Sequence, residues 1–186
     1  MAIVAAACIQ HWRNKLQEYG VTTEPAGFLK CIEDAGKYAH PRCWRYIYYG
    51  TKVKSPLTIC TPGCDLVTGN TVILGKGDVN CSTCSGYLNL VMTLKHECVH
   101  ERQICYANTH ACMEVEAYQI SILDFERTIK NSCKNIVADG FCKSVAECTD
   151  IGKQIVIADK AILAKYWEQC WWSKGRKIFW PEDLSY

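Results

Sequence analysis

Leu88-Asn89-Leu90-Val91-Met92-Thr93-Leu94-Lys95-His96-Glu97-Cys98-Val99-His100 decides how the rest of this chain is read. Leu90, Leu94 and Cys98 recur at helical spacing and the stripe continues to Cys105, so the stretch predicts an amphipathic helix. Side chains at i and i+4 point the same way, which puts His96 and His100 together on a face distinct from that stripe. Two imidazoles so placed can share a metal ion, and Glu97 sits beside them to take a proton from water. The competing reading is a histidine pair on a solvated face, among Lys95, Glu101 and Arg102.

A metal site needs a further ligand, and the residues downstream supply candidates. Met113-Glu114-Val115-Glu116-Ala117-Tyr118-Gln119-Ile120 opens a second helical run towards Lys130. A reversal at Ala107-Asn108-Thr109-His110 precedes it, so the two helices can pack antiparallel. Glu114 and Glu116 lie on nearly opposite faces, and only one can meet the histidines. Glu114 shares its face with Ala117, Tyr118 and Ser121, a small and polar set suited to a cleft, whereas Glu116 lies with Ile120 and Leu123. Glu114 is the expected third ligand, with Glu116 and His110 as the alternatives.

His96, Glu97, His100 and Glu114, the last within Glu-x-x-Ala, resemble the zincin metallopeptidases and among them the gluzincins. The resemblance covers about the middle third of the chain. A metzincin would need a glycine and a third histidine soon after His100, and Glu101-Arg102-Gln103-Ile104-Cys105-Tyr106 holds neither. The chain departs from the gluzincin pattern in a short gap before Glu114 and in Tyr118, which stands where an Asp would follow. The resemblance implies a single zincin-like domain over residues 1–186, with zinc held by His96, His100 and Glu114 and a peptide or protein as substrate. Three protein ligands leave zinc a place for water, whose pKa falls towards about 7, so Glu97 is the expected general base of amide hydrolysis. The β-rich stretch Asn70–Gly77 is expected to border the cleft and pair with substrate backbone; by itself it reads as an ordinary edge strand.

The coarse organisation is α+β and mostly helical, with a small antiparallel sheet before the active-site helix. Ala2 to Tyr19 and Glu24 to Tyr38 read as helices, a helical N-terminal part over 1–40. Cys43 to Tyr49, Pro56 to Cys60 and Thr71 to Leu74 read as strands. Ser144 to Cys170 predicts a long helix through Ile151, Ile155, Ala158, Ile162 and Tyr166, after which a tail with Trp171, Trp172 and Trp180 lacks periodicity. These tryptophans and Trp167 read as packing and tail anchors before they read as a ligand platform. His11 and His40 have no partner signal.

A chain of 186 residues suffices for one domain with a sizeable core. Its 14 cysteines are far above ordinary usage and predict a disulfide-rich, secreted protein with up to seven bridges. Cys105 and Cys112 suggest a local staple at the helix reversal. Cys60/Cys64 with Cys81/Cys84 are spaced somewhat like a zinc ribbon, although so many other cysteines favour disulfides there too. Cys98 reads as a buried disulfide half or core thiol rather than a nucleophile. No stretch is apolar for long enough to span a bilayer, and the opening Met1–Ala7 reads as the start of a mature chain after leader removal. Net charge of +2 with scattered cations does not suggest nucleic acid. The alternative to the enzyme is a non-catalytic, disulfide-rich secreted effector or binding protein.

Overall fold

The apolar faces of three long helices set where the core lies, and a small sheet closes one side of it. In the computed structural model, which describes residues 2–39, 47–59, 71–103, 109–178 and 180, α1 (Ala2–Glu18) leads into β1 (Val21–Thr22) and α2 (Phe28–Gly36). Strands β2 (Ile47–Gly50), β3 (Leu57–Ile59) and β4 (Thr71–Leu74) follow, then α3 (Cys84–Arg102), α4 (His110–Ala138) and α5 (Val145–Gln169). The fold is α+β, mostly helical and disulfide-rich. The expected Glu24 start of the second helix gives way to Phe28, after Gly27 at φ 82°.

α3 is the central element. Thr83 caps it by accepting from the Gly86 N–H at 3.0 Å. Leu88, Leu90, Val91, Leu94, Cys98 and Val99 are all buried, so most of its circumference faces protein. Lys95 is buried as well, at 5 % exposure, its ammonium donating to the Tyr38 carbonyl and to Asp124. The solvated-face reading of this helix therefore fails at Lys95. α4 and α5 form an antiparallel hairpin. Ser144 caps α5 by accepting from the Glu147 N–H at 3.1 Å, and Glu147 accepts from the Lys143 N–H at 2.6 Å. Gly152 lets the pair approach, since a Cβ there would meet Ile129 at 2.6 Å.

The sheet has the order β1-β2-β4-β3 and is mixed, not antiparallel throughout. β2 runs parallel to β4, while β1 pairs with β2 and β3 with β4 antiparallel. β2 and β4 are the interior strands, and in β4 Val72, Ile73 and Leu74 are at most 2 % exposed, which suits their unbroken apolar run. α1 lies against the sheet, where Trp12 Nε1 donates to Thr71 Oγ1 at 3.0 Å.

Among the described residues four disulfides have both halves: Cys31–Cys81, Cys84–Cys142, Cys112–Cys170 and Cys133–Cys148. Cys8 and Cys98 are disulfide-bonded too, in accord with the reading of Cys98. The local staple Cys105–Cys112 is corrected, because Cys112 is bonded to Cys170. The zinc ribbon falls for the same reason, with Cys81 and Cys84 both oxidised to partners elsewhere. Cys60, Cys64 and Cys105 lie outside the described residues, as do His40, the Cys43–Tyr46 part of the first expected strand and the reversal at 107–108. No described helix is long and apolar enough to cross a membrane.

Candidate metal centre

One turn of α3 separates His96 from His100, and their Nε2 atoms stand 3.0 Å apart. The start of α4 brings Glu114 across the gap, with Oε2 at 3.3 Å from His96 Nε2 and Oε1 at 3.4 Å from His100 Nε2. All three side chains are 11–13 % exposed. Zinc–nitrogen bonds of about 2.0–2.1 Å in a tetrahedral shell put neighbouring ligand atoms roughly 3.3 Å apart, so this donor set fits such an ion. Among the described residues it is the group of histidines, cysteines and carboxylates gathered closely enough to hold a metal, its ligand atoms lying within 4.8 Å of one another.

Each alternative ligand has a definite place. Glu116 is turned outward and accepts a hydrogen bond from Gln103 Nε2 at 3.1 Å. His110, the first residue of α4, is 75 % exposed and its Nδ1 lies 3.6 Å from Glu114 Oε1, at the rim of the site. Glu114 is thus the carboxylate facing both imidazoles, as its small and polar helix face suggested.

The hydrogen-bond network prepares His100 for a cation. Gln103 Nε2 donates to the Met113 carbonyl at 2.8 Å, which turns Gln103 Oε1 towards His100 Nδ1 at 2.7 Å. An amide oxygen only accepts, so Nδ1 carries the proton and the Nε2 lone pair is available to a metal. His96 is arranged differently. Its Nδ1 is buried without a hydrogen-bond partner among the described residues, and the Tyr118 ring sits with its centroid 4.3 Å from the imidazole.

No known protein family, curated protein or solved structure matches the chain. The site must be read from its own residues.

Burial works to raise the Glu114 carboxyl, but the hydrogen bonds and charges of His100 and His96 outweigh it and bring it down to about 2. Burial likewise works to lower His100, and the Glu114 hydrogen bond together with the charge of Glu97 reverses this, so its pKa is raised. Glu97, 4 % exposed, accepts from Thr58 Oγ1 at 2.6 Å. Asp159, on α5, is pushed up to about 6 by burial, with the charge of His96 pulling weakly the other way.

These groups open on a cleft of about 630 Å³. Ser55 to Thr58 form one wall, Met92, Thr93 and the motif form the floor, and Tyr118, Asp159, Ile162 and Tyr166 form the other wall. The strand beside the cleft is therefore β3, not the Asn70–Gly77 stretch. β4 is hydrogen-bonded on both sides and has no free edge, whereas β3 is the last of the described strands in the sheet. Trp167 is buried at 4 % exposure and packs edge-on against Trp172, and Trp180 lies over Lys160 at 4.8 Å, so these tryptophans anchor the tail.

Sequence reasoning missed Thr58, Gln103, Asp159 and the burial of Lys95. Gln103 had a signal only in its position three residues after His100, at the C-cap of α3. Asp159 shares a face with Ile162 and Tyr166 at i+3 and i+7. Nothing in the spacing of Thr58 points to Glu97, from which it is separated by 39 residues.

Proposed function

We propose that the chain is a secreted zinc-dependent metallopeptidase of the gluzincin kind, hydrolysing peptide bonds in the cleft between β3 and α5. The observation that carries this reading is the convergence of His96, His100 and Glu114 with a further carboxylate, Glu97, beside them on the cleft floor. His96, His100 and Glu114 would hold the ion. Bound there, zinc supplies Lewis-acid polarisation of the substrate carbonyl and a lowered pKa for water.

The chain's own groups account for the remaining steps. Glu97 takes the proton from the attacking water and returns it to the leaving amine. Thr58 donates to Oε2 and so helps hold the carboxylate in its orientation beside the cleft. The outer edge of β3 offers backbone donors and acceptors to an extended peptide, which gives affinity without demanding a particular side chain. Disulfides throughout the fold suit an oxidising compartment, which supports secretion.

The test is metal content measured alongside peptide turnover. The protein is expected to hold about one zinc per chain and to lose peptide hydrolysis to a chelator. Glu97→Gln is expected to retain zinc and lose about a hundredfold to ten-thousandfold in kcat, and His100→Ala to lose both metal and activity. Undiminished turnover in Glu97→Gln, or turnover that a chelator leaves intact, overturns the assignment.

A further inference from the structure

We propose that Asp159 makes one wall of the cleft a subsite for a cationic side chain, the ammonium of lysine or the guanidinium of arginine. The inference rests on the peptidase reading for why a peptide lies in the cleft, and it adds which peptide. Among the described residues, every other carboxylate lining the cleft is engaged. Glu114 spans both imidazoles and Glu97 accepts from Thr58. Asp159 has no hydrogen bond or ion pair with any of the described residues. Lys160, next in sequence, is turned away to Glu126 at 2.7 Å and to the Trp180 ring. Among the described residues, no lysine or arginine lines the cleft.

A half-buried carboxylate left without a partner is costly, and such groups concentrate where a ligand supplies the missing charge. Counting charges gives the same answer. A divalent ion is balanced by Glu97 and Glu114, which leaves the charge of Asp159 for the substrate to neutralise. The surroundings suit a long cationic side chain. Ile162 and Tyr166 on the same face of α5, with Tyr118 from α4 and Met92 from α3, offer apolar surface to its methylene stem while the charged head reaches the carboxylate.

The experiment uses zinc-loaded protein carrying Glu97→Gln, so that binding is read without turnover. It is titrated with blocked alanine peptides in which a single lysine is moved through every position, with the matching norleucine set, and with unblocked polyalanine. At one position lysine is expected to bind about tenfold more tightly than norleucine, equivalent to about 1.4 kcal/mol. Asp159→Asn should abolish that difference while leaving norleucine affinity and zinc content unchanged, and Asp159→Glu should keep part of it. Equal binding of the two sets overturns the proposal. So does tight binding of unblocked polyalanine alone, which would make the site a reader of peptide amino termini. Loss of zinc from Asp159→Asn without any lysine preference also overturns it and assigns Asp159 to holding His96. If unmutated zinc-loaded protein cleaves none of these peptides while the Asp159-dependent lysine preference persists, the hydrolytic reading fails and the cation subsite stands.

Discussion

At His100 a proton and a metal ion compete for the same nitrogen. In the metal-free protein His100 Nε2 faces Glu114 Oε1, and the partners shift in opposite directions: Glu114 down to about 2 from 4.5, His100 up from 6.5. A lowered carboxylate stabilises the fold above its ordinary value and loses that contribution as pH falls from about 4.5 to about 2. A raised histidine stabilises it below about 6.5 and loses that contribution as pH rises through the folded value. The metal-free protein is therefore expected to melt at a lower temperature at about pH 8 than at about pH 5. Zinc displaces the His100 proton, so zinc-loaded protein should gain stability over the same rise. Thermal unfolding with and without zinc checks this, and parallel trends would exclude His100 as the competing site. Gln103 fixes which nitrogen is free, so Gln103→Leu should weaken zinc binding about 10–100-fold, measured by chelator competition, with little change in melting temperature. The metal ligands were readable from the sequence because i, i+4 spacing and helix faces are local geometry. The bond from Gln103 to the Met113 carbonyl and the place of Asp159 on the cleft depend on which helices meet.

Among the elements, β3 is only three residues long, yet it places Leu57 and Thr58 on the cleft. Its outer edge borders the site while Thr58 reaches inward to Glu97. Substrate backbone bound along the edge and proton transfer by Glu97 are thereby joined through one side chain. Thr58→Val keeps the shape and removes the donor, leaving a buried carboxylate oxygen short of a partner. Its expected effects are a loss of about 1–3 kcal/mol in stability and about tenfold in kcat, with zinc content and KM unchanged; Thr58→Ser should restore both. A rise in KM together with the fall in kcat would instead mean that the strand itself had moved. Helices were easier to foresee than strands here for a physical reason. Ser144 to Cys170 carries cap, period and stop within its own residues, and the observed helix is Val145–Gln169. The sheet order β1-β2-β4-β3 follows from long-range pairing. A parallel β2–β4 pair leaves no local mark, and the apolar run of Val72 to Leu74 fits an edge or a centre until its neighbours are known.

Across the whole molecule, the disulfides differ in what they hold, and position rather than loop length decides. Cys112–Cys170 closes a separation of 58 residues, and Cys133–Cys148 one of 15. Loop-closure entropy alone makes these worth roughly 4 and roughly 3 kcal/mol, a small difference. Their relation to the metal centre is the larger one. Cys112 lies in the first turn of α4, next but one before Glu114, and Cys170 caps α5 just beyond Tyr166, so this bridge clamps the mouth of the cleft. Cys133 and Cys148 join the opposite end of the same hairpin, where α4 ends and α5 begins. Replacing Cys112 and Cys170 together by serine should therefore lower stability by about 2–4 kcal/mol and weaken zinc binding by at least about tenfold, because Glu114 loses its anchored position relative to α3. Replacing Cys133 and Cys148 should lower stability by a comparable amount and leave zinc affinity within about twofold of the parent. Denaturant unfolding and chelator competition on the two variants make the comparison, and equal losses of zinc affinity would show that the bridges support the site only through global stability.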